Sequence, residues 1–403
     1  MPEQMLADVL CLGRARRYDT AVALSSRGQL GRLLAGGYLT SAPRAAVRTA
    51  ARAIPSARVR RLSLRASPDL PDARCVPIWR HLASAALLGD PADRFFALRA
   101  EFSRLAGVAS RAPVVIAEQT EALEAFEIAG RRGARRVLMM TGASPAARNR
   151  MLAEEHLRWP PARPVSLAGR DSPLVDRELV EIQQADVVLS PSSYVTESLG
   201  LYECFQHKRV RQVSWPVWGG DRLASVPRTA PRGRPTRILF VGQVGLGKGV
   251  MYLVEALERL DRRTYEARLV GAAKLPPVLL DRCRSVATLT GVLSPAEVRE
   301  QYDWADVFAL PSLSEGRARA TIEAMAAALP VVVTPNAGAP VEHGASGLLV
   351  PPRDPDAIAE AIGALARNAD LYRATSQGAL AVVSQLTVAR YAVELSREAL
   401  FTG

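Results

Sequence analysis

Short apolar runs alternate with amphipathic segments along the whole chain. Eight runs are rich in β-branched or aliphatic residues and are bounded by polar or proline-containing stretches, as buried strands are. They lie at 9–12, 114–116, 137–140 and 187–189 in the first half, and at 238–241, 267–270, 307–310 and 331–333 in the second. Strands that alternate with helices predict parallel sheets with helices on both faces. The pattern therefore predicts the α/β class.

The length of 403 residues is enough for two such domains. Between the two series of strands, residues 226–235 contain three prolines and a glycine and cannot sustain a helix. We predict an N-terminal domain at 1–222, a linker at 223–236 and a C-terminal domain at 237–386. Residues 387–403 begin with apolar positions at helical spacing, which predicts a last helix.

Composition excludes several classes of protein. No apolar run approaches the ~18 residues of a membrane-spanning helix. The first eight residues lack the basic and apolar segments of a secretory signal, so we expect a cytoplasmic protein. Four scattered cysteines have no spacing typical of zinc or a redox pair, which favours free thiols: Cys11, Cys75, Cys204 and Cys283.

The positive charge is concentrated in the first half. Residues 1–226 hold 32 Lys and Arg against 22 Asp and Glu, whereas residues 227–403 hold 20 against 18. A basic half indicates an anionic partner such as a membrane surface, a phosphorylated lipid or nucleic acid, or else a generally Arg-rich composition. Within 43–67, Arg44, Arg48 and Arg52 are four apart, as on an interfacial membrane helix or on a solvated helix face.

Two carboxylates flank a strand-to-helix junction near the C-terminus. Glu315 follows the predicted strand 307–310, and Glu323 lies in the first turns of an Ala-rich, helix-prone stretch at 320–329. Ligands of open α/β sheets bind at the carboxyl ends of strands, where helix N-termini attract phosphates. Carboxylates there accept hydrogen bonds from sugar hydroxyls. The pair therefore suggests a ligand that carries both sugar and phosphate, such as a nucleotide sugar.

A glycine-rich turn with a lysine follows the predicted strand 238–241. It contains Gly242, Gln243, Gly245, Gly247, Lys248 and Gly249, and a helix follows. Backbone amides and the lysine charge together predict a phosphate site. Gly249 stands where a P-loop has the Ser or Thr that holds magnesium, so a P-loop NTPase is a weak alternative. A dinucleotide fingerprint fails because Val250 follows where a third glycine is needed.

These segments resemble the retaining GT-B glycosyltransferases of family 4, also called group 1. The resemblance is specific over about 230–385. It rests on Phe240-Val-Gly-Gln243 with Lys248-Gly249, on Leu310-Pro-Ser-Leu-Ser-Glu315-Gly316 with Glu323-Ala-Met325, and on Gly347-Leu-Leu-Val350-Pro351. It implies two doubly wound, Rossmann-like domains that face each other across a cleft, with the last helix packed back on the first domain.

The resemblance also implies roles for individual residues. Lys248 would bind the donor diphosphate beside Gly242, Gln243 and Gly247, and would stabilise the charge on the leaving group. Glu315 would contact the transferred sugar, assisted by the backbone of Gly316, Arg317 and Ala318. Glu323 would hold the ribose hydroxyls, and the base would lie against Val292 and Leu293. Lys248 and Glu315 are thus the expected catalytic residues.

Transfer in this family retains the anomeric configuration and needs no bound metal or cofactor. The resemblance therefore implies a UDP-, GDP- or ADP-sugar as co-substrate and a glycan or lipid-linked acceptor of cell-envelope polysaccharide assembly. It implies no nucleic-acid partner, and it places the enzyme in the cytoplasm or at the inner face of the membrane. On the acceptor side we expect Gly13, Arg14 and Thr141.

Three departures from the family pattern leave alternatives open. Gln243 stands where an arginine is common, Arg317-Ala318 replaces an aromatic-Gly pair, and Thr141 occupies the place of a histidine that touches the donor sugar. A GT-B sugar-nucleotide epimerase and a non-catalytic relative are therefore also hypotheses.

Overall fold

A computed structural model describes residues 5–12, 18–40, 43, 45, 67–79, 91–160, 172–202, 205, 209–217 and 226–401. Most of the arginine-bearing segment 43–67, including Arg44, Arg48 and Arg52, lies outside the described residues. In the described part of the chain, no helix is both long enough and apolar enough to cross a bilayer.

The first sheet contains seven parallel strands. They are β1 (Ala7–Cys11), β2 (Leu30–Gly36), β3 (Cys75–Ile78), β4 (Val114–Glu118), β5 (Arg135–Met139), β6 (Val187–Ser190) and β7 (Val210–Gln212), in the order β3-β2-β1-β4-β5-β6-β7. The helices around it are α1 (Asp19–Ser26), α2 (Pro91–Ala109), α3 (Leu123–Arg131), α4 (Pro145–Arg158), α5 (Ser172–Gln184) and α6 (Ser193–Ser198). All four strands predicted in this half are present.

The second sheet contains six parallel strands. They are β8 (Thr236–Val241), β9 (Tyr265–Val270), β10 (Thr288–Gly291), β11 (Val307–Leu310), β12 (Val331–Val333) and β13 (Leu348–Leu349), in the order β10-β9-β8-β11-β12-β13. The helices are α7 (Val250–Arg259), α8 (Pro277–Val286), α9 (Pro295–Trp304), α10 (Arg319–Ala326), α11 (Pro355–Arg367) and α12 (Ala369–Ser384). The predicted α/β architecture with two doubly wound sheets is confirmed.

Five strands were not predicted: β2, β3, β7, β10 and β13. β2 is a buried inner strand whose apolar run is interrupted by Arg32 and by two glycines. The others have weaker hydrophobic signals. β3 contains Pro77, β7 is partly exposed and polar, and β13 has two residues. Each of these three strands lies at the end of its sheet. Edge strands are buried less than central ones, so their sequences carry less β-branched apolar character.

Each sheet has a point where the strand order reverses. In the second sheet β8 pairs with β9 on one side and with β11 on the other. The chain therefore leaves the carboxyl ends of β8 and β11 in opposite directions and opens a crevice between them, where α/β proteins bind ligands. The glycine-rich turn and Glu315 follow these two strands directly.

Helix α4 joins the first domain to the second. The buried carboxylate of Glu155 accepts hydrogen bonds from Tyr252 Oη at 2.8 Å and from Arg353 Nε at 2.7 Å. Trp159, just after α4, packs in the hydrophobic core of the second domain. Polar and apolar groups at α4 thus hold the two domains together.

The last helix, α13 (Val388–Leu395), packs on the first domain and continues as a π-helical turn to Phe401. Tyr391 and Leu395 lie in the core cluster around β1, and Tyr391 Oη is 3.1 Å from Thr20 Oγ1 on α1. Of the segment between the domains, residues 226–235 lie along the second domain, where Arg228 donates to four backbone carbonyls. Thr236 already belongs to β8 rather than to a linker.

Candidate active site

The glycine-rich turn after β8 packs tightly against the loop after β11. A 3₁₀ turn, Leu246–Lys248, leads to Gly249, which has φ 66° and opens α7. A Cβ at Gly249 would overlap with the carbonyl of Pro311. Only glycine fits there, because the backbone is left-handed and the neighbouring loop leaves no space.

Hydrogen bonds fix the two loops side by side. The Leu313 amide donates to the Gly247 carbonyl at 3.0 Å, and Ser312 Oγ donates to the same oxygen at 3.2 Å. As a result the Lys248 ammonium contacts the Glu315 carboxylate in a half-buried ion pair. The two residues expected to be catalytic are therefore neighbours at the reversal point of the sheet.

Glu323 lies on the second turn of α10, the helix that follows the loop with Glu315. Its carboxylate accepts a hydrogen bond from Tyr302 Oη at 3.1 Å and is 3.4 Å from Arg319 Nη2. Burial, together with the Glu323 carboxylate, raises the pKa of Tyr302 well above its usual value. The phenol therefore keeps its proton and orients one Glu323 oxygen, which leaves the carboxylate further lone pairs for a ligand's hydroxyls.

The first domain forms the opposite wall of the crevice. Ser192 Oγ donates to the Gly316 carbonyl at 2.7 Å, and Tyr194 Oη donates to the Leu313 carbonyl at 3.1 Å. A Cβ at Gly316 would overlap with the Thr141 carbonyl. Thr141, expected on the acceptor side, thus lies in direct contact with the loop that carries Glu315.

Gln119 supports Thr141 from behind, and sequence reasoning missed it. Its Oε1 accepts hydrogen bonds from the amides of Thr141 and Gly142, both at 3.1 Å, and its Nε2 donates to buried Glu178. Gln119 directly follows strand β4. A polar residue at the carboxyl end of a central strand is a signal that could have found it.

The expected base-binding residues Val292 and Leu293 follow β10, beside the glycine-rich turn. The Gly271 amide donates to the Gly291 carbonyl at 2.8 Å, and a Cβ at Gly271 would overlap with the Gly242 carbonyl. The ends of β8, β9 and β10 are therefore in contact. Val292 is 78% exposed, as an apolar residue available to a ligand would be.

The remaining expected residues differ in exposure and in hydrogen bonding. Gln243 is exposed at the mouth of the crevice, and the Arg317 side chain is buried. The Ala318 amide donates to the Ala337 carbonyl at 2.8 Å, so this group already has a partner. Gly13 and Arg14 lie outside the described residues. Across the described ranges, no cluster of three His, Cys, Asp or Glu side chains is placed to hold a metal ion.

Comparison with known families finds a match within the second domain. The family of group 1 glycosyl transferases matches residues 235–368, which include both crevice loops, Lys248, Glu315 and Glu323. The second domain is therefore similar to the group 1 glycosyl transferases.

Curated proteins named as glycosyltransferases match part of the chain. An amylovoran biosynthesis glycosyltransferase of Erwinia amylovora is 33% identical over 176 residues, which are 40% of this chain and 41% of that protein. A D-inositol 3-phosphate glycosyltransferase of Xylanimonas cellulosilytica is 38% identical over 141 residues, 32% of this chain and 33% of that one. The alignments thus span about a third to two-fifths of these relatives.

Solved glycosyltransferase structures share the fold over nearly the whole chain. Sucrose-phosphate synthase of Thermosynechococcus elongatus superimposes with a TM-score of 0.66 at 16% identity, covering 97% of this chain and 98% of that one. HepE of Anabaena, solved in complex with UDP, gives 0.59 at 15% identity and covers 98% and 99%. At such identities the likeness establishes the two-domain GT-B fold.

Proposed function

We propose that the protein is a retaining, nucleotide-sugar-dependent glycosyltransferase that elongates a glycan or a lipid-linked acceptor in cell-envelope polysaccharide assembly. The observation that carries the proposal is the Lys248–Glu315 ion pair, which lies at the reversal point of a sheet whose sequence matches the group 1 glycosyl transferases. The amylovoran relative supports the polysaccharide assignment. The UDP bound to HepE supports a nucleoside diphosphate as the carrier.

Different residues of the site bind three parts of the donor. Lys248 and the amides of the glycine-rich turn face the diphosphate, Glu315 accepts hydrogen bonds from the transferred sugar, and Glu323 holds the ribose. Donor binding moves the Lys248 ammonium from Glu315 to the diphosphate. This releases the Glu315 carboxylate for the sugar hydroxyls, so both charges keep a partner throughout.

The transfer itself exchanges one carbon–oxygen bond for another. The bond from the anomeric carbon to the diphosphate breaks, and a bond to the acceptor oxygen forms on the same face. The acceptor's hydroxyl proton passes to the departing diphosphate. Lys248 stabilises the negative charge that develops on the leaving group, and this electrostatic contribution requires no protein nucleophile.

Calorimetric titration with UDP, GDP and ADP tests the donor site. We expect one of them to bind the wild type and Lys248→Ala to bind it at least ~10-fold more weakly, since a charge-assisted hydrogen bond contributes about 1.5–3 kcal/mol. Arg263→Gln, which removes one charge from an 89% exposed side chain of the same domain, is the control and should bind normally. If none of the three binds the wild type, the proposal is wrong.

Product analysis separates transfer from the other hypotheses. With the identified nucleotide sugar and no acceptor, a transferase releases the nucleoside diphosphate slowly by hydrolysis, and this release should depend on Glu315. An epimerase would convert the sugar without net release. A non-catalytic relative would bind the nucleotide sugar and leave it intact.

A further inference from the structure

Arg317 is a buried cation with two unsatisfied hydrogen-bond donors among the described residues. Its side chain lies between the domains and the residue is 6% exposed, and within the described ranges neither Nε nor Nη2 has a hydrogen-bond partner. Burial lowers the pKa of Arg317 to about 10, and Glu394 partly offsets this effect. At neutral pH the group is still charged. A buried charge without a partner costs several kcal/mol, so its retention calls for a reason.

The guanidinium borders a small cavity between the domains. The cavity has a volume of about 40 Å³, and its walls include Asp19 and Trp215 from the first domain and Arg317, Arg319, Ile322 and Glu323 from the second. This space is large enough for a few water molecules or for one planar group of similar size. Because Glu323 is the expected ribose ligand, the cavity adjoins the proposed donor site.

Two carboxylates and a second arginine also line the cavity. Glu323 is hydrogen-bonded by Tyr302 and lies near Arg319. Asp19 is the first residue of α1, where the partial positive charge of a helix N-terminus stabilises a carboxylate. Among the described residues Glu394 offsets the Arg317 charge only in part, and Nε and Nη2 have no hydrogen-bond acceptor. A planar guanidinium with free donors matches a carboxylate, which can accept two parallel hydrogen bonds.

Resting on the proposed function, we propose that Arg317 binds the carboxylate of a hexuronic acid residue in one of the two sugar substrates. The cavity that Arg317 borders is also lined by Glu323, the expected ribose ligand, and Glu315 lies in the same loop as Arg317, so an acidic sugar bound at this loop can extend its carboxylate into the cavity. The carboxylate belongs either to the transferred sugar or to the acceptor.

Calorimetry with free D-glucuronate and D-glucose, in the presence of the nucleoside diphosphate found to bind, tests the inference. The wild type should prefer glucuronate by at least ~10-fold, the effect of a charge-assisted pair. In Arg317→Met the preference should fall to about twofold or less. Arg263→Gln should keep the wild-type preference, because it removes an equal charge far from the cavity.

Replacing the diphosphate by the corresponding nucleotide-glucose distinguishes the two sources. Glucuronate that is displaced by the intact donor occupies the transferred-sugar site, whereas glucuronate that still binds occupies the acceptor site. Arg317→Lys keeps the charge without the planar fork and should retain a reduced preference, which covers the case that Arg317→Met does not fold.

The inference is overturned by a wild type that does not discriminate between the two sugars, or by a preference that is unchanged in both Arg317 variants. Arg317 would then hydrogen-bond to water alone. A wild type that binds a nucleoside diphosphate but shows no preference refutes this inference only. A wild type that binds no nucleoside diphosphate refutes the proposed function, and the free-sugar preference can still be measured without it.

Discussion

The Lys248 ammonium contacts the Glu315 carboxylate although the two residues follow different strands, β8 and β11. The contact exists because Ser312 and Leu313 hydrogen-bond to the carbonyl of Gly247. In the unliganded protein the two charges therefore neutralise each other. A diphosphate must compete with Glu315 for the lysine, which links donor binding to the release of the carboxylate.

Glu315→Gln should separate binding from transfer. Without the competing carboxylate Lys248 is freer to meet the diphosphate, so we expect the nucleoside diphosphate to bind as tightly as in the wild type or up to ~10-fold more tightly. Sugar transfer should fall at least ~100-fold, as for the loss of an interaction at the reacting sugar. Calorimetry and a transfer assay measure the two quantities. Tenfold weaker binding of the nucleoside diphosphate would contradict a competition between Glu315 and the diphosphate for Lys248.

Gly249→Ala should destabilise the second domain by about 3 kcal/mol or more, because a Cβ there overlaps with Pro311 and the backbone is left-handed. Gly291→Ala is a matched control. Gly291 has φ 72° but nothing within 4 Å of its Cβ position, so only the left-handed penalty of about 1–2 kcal/mol applies. Urea unfolding of both variants measures the difference. Equal losses of stability would show that the loop with Pro311 moves away from the added methyl group at no cost in free energy.

Gly316→Ala should push the two domains apart. Its Cβ would overlap with the Thr141 carbonyl of the first domain, whereas a Cβ at Gly142 meets nothing within 4 Å. We expect Gly316→Ala to reduce transfer at least ~10-fold, because displacement of the reacting groups by about 1 Å can cost 10²-fold. Gly142→Ala should be nearly neutral. Small-angle scattering should show a larger radius of gyration for Gly316→Ala alone. An unchanged radius of gyration would refute the separation of the domains.

Glu155→Gln should weaken the junction between the domains by about 3 kcal/mol. The carboxylate is 1% exposed and accepts hydrogen bonds from Tyr252 and Arg353, so its neutralisation leaves the arginine poorly paired. Glu154→Gln removes a 45% exposed partner of the same arginine and should change stability by about 0.5 kcal/mol or less. Thermal unfolding compares the two variants. Comparable losses of stability would show that Glu155 contributes no more than the exposed Glu154 does.

Glu178 should make stability fall as pH rises from about 5 to 8. Burial raises the pKa of Glu178 to about 8, despite its hydrogen bonds from Tyr202 and Gln119. The unfolded carboxyl ionises near its ordinary value of 4.5. The native state therefore binds the proton more tightly over this window, so stability is present in full below pH 4.5 and is lost toward pH 8.

Glu178→Gln isolates this effect, because a neutral amide mimics the protonated acid. Buried Glu121 and Glu181, whose pKa values burial also raises, remain in both proteins, so the difference reports Glu178 together with its repulsion from Glu181. The difference in unfolding free energy between wild type and variant should change by up to about 1.4 kcal/mol per pH unit between pH 5 and 8. Urea unfolding at several pH values measures it. A pH-independent difference would mean that Glu178 is ionised throughout.

Much of the second domain could be predicted from the sequence. Its central strands are continuous apolar runs, because parallel strands are buried on both faces. The glycine-rich turn and the two glutamates follow those strands directly, so their location at the carboxyl edge of the sheet follows from chain order alone. The sequence also indicated the last helix, through the apolar spacing of Val388, Tyr391 and Leu395.

Only the tertiary structure decided which groups meet across the crevice. The contact of Gly316 with Thr141 and Ser192, and the support of Thr141 by Gln119, join segments that are distant in the chain. Arg317 shows the same limit most clearly. Loop arginines are usually solvated, and only the packing of the first domain against this loop makes Arg317 a buried cation. The burial of a side chain depends on every segment that packs around it, whereas periodicity records only the segment to which it belongs.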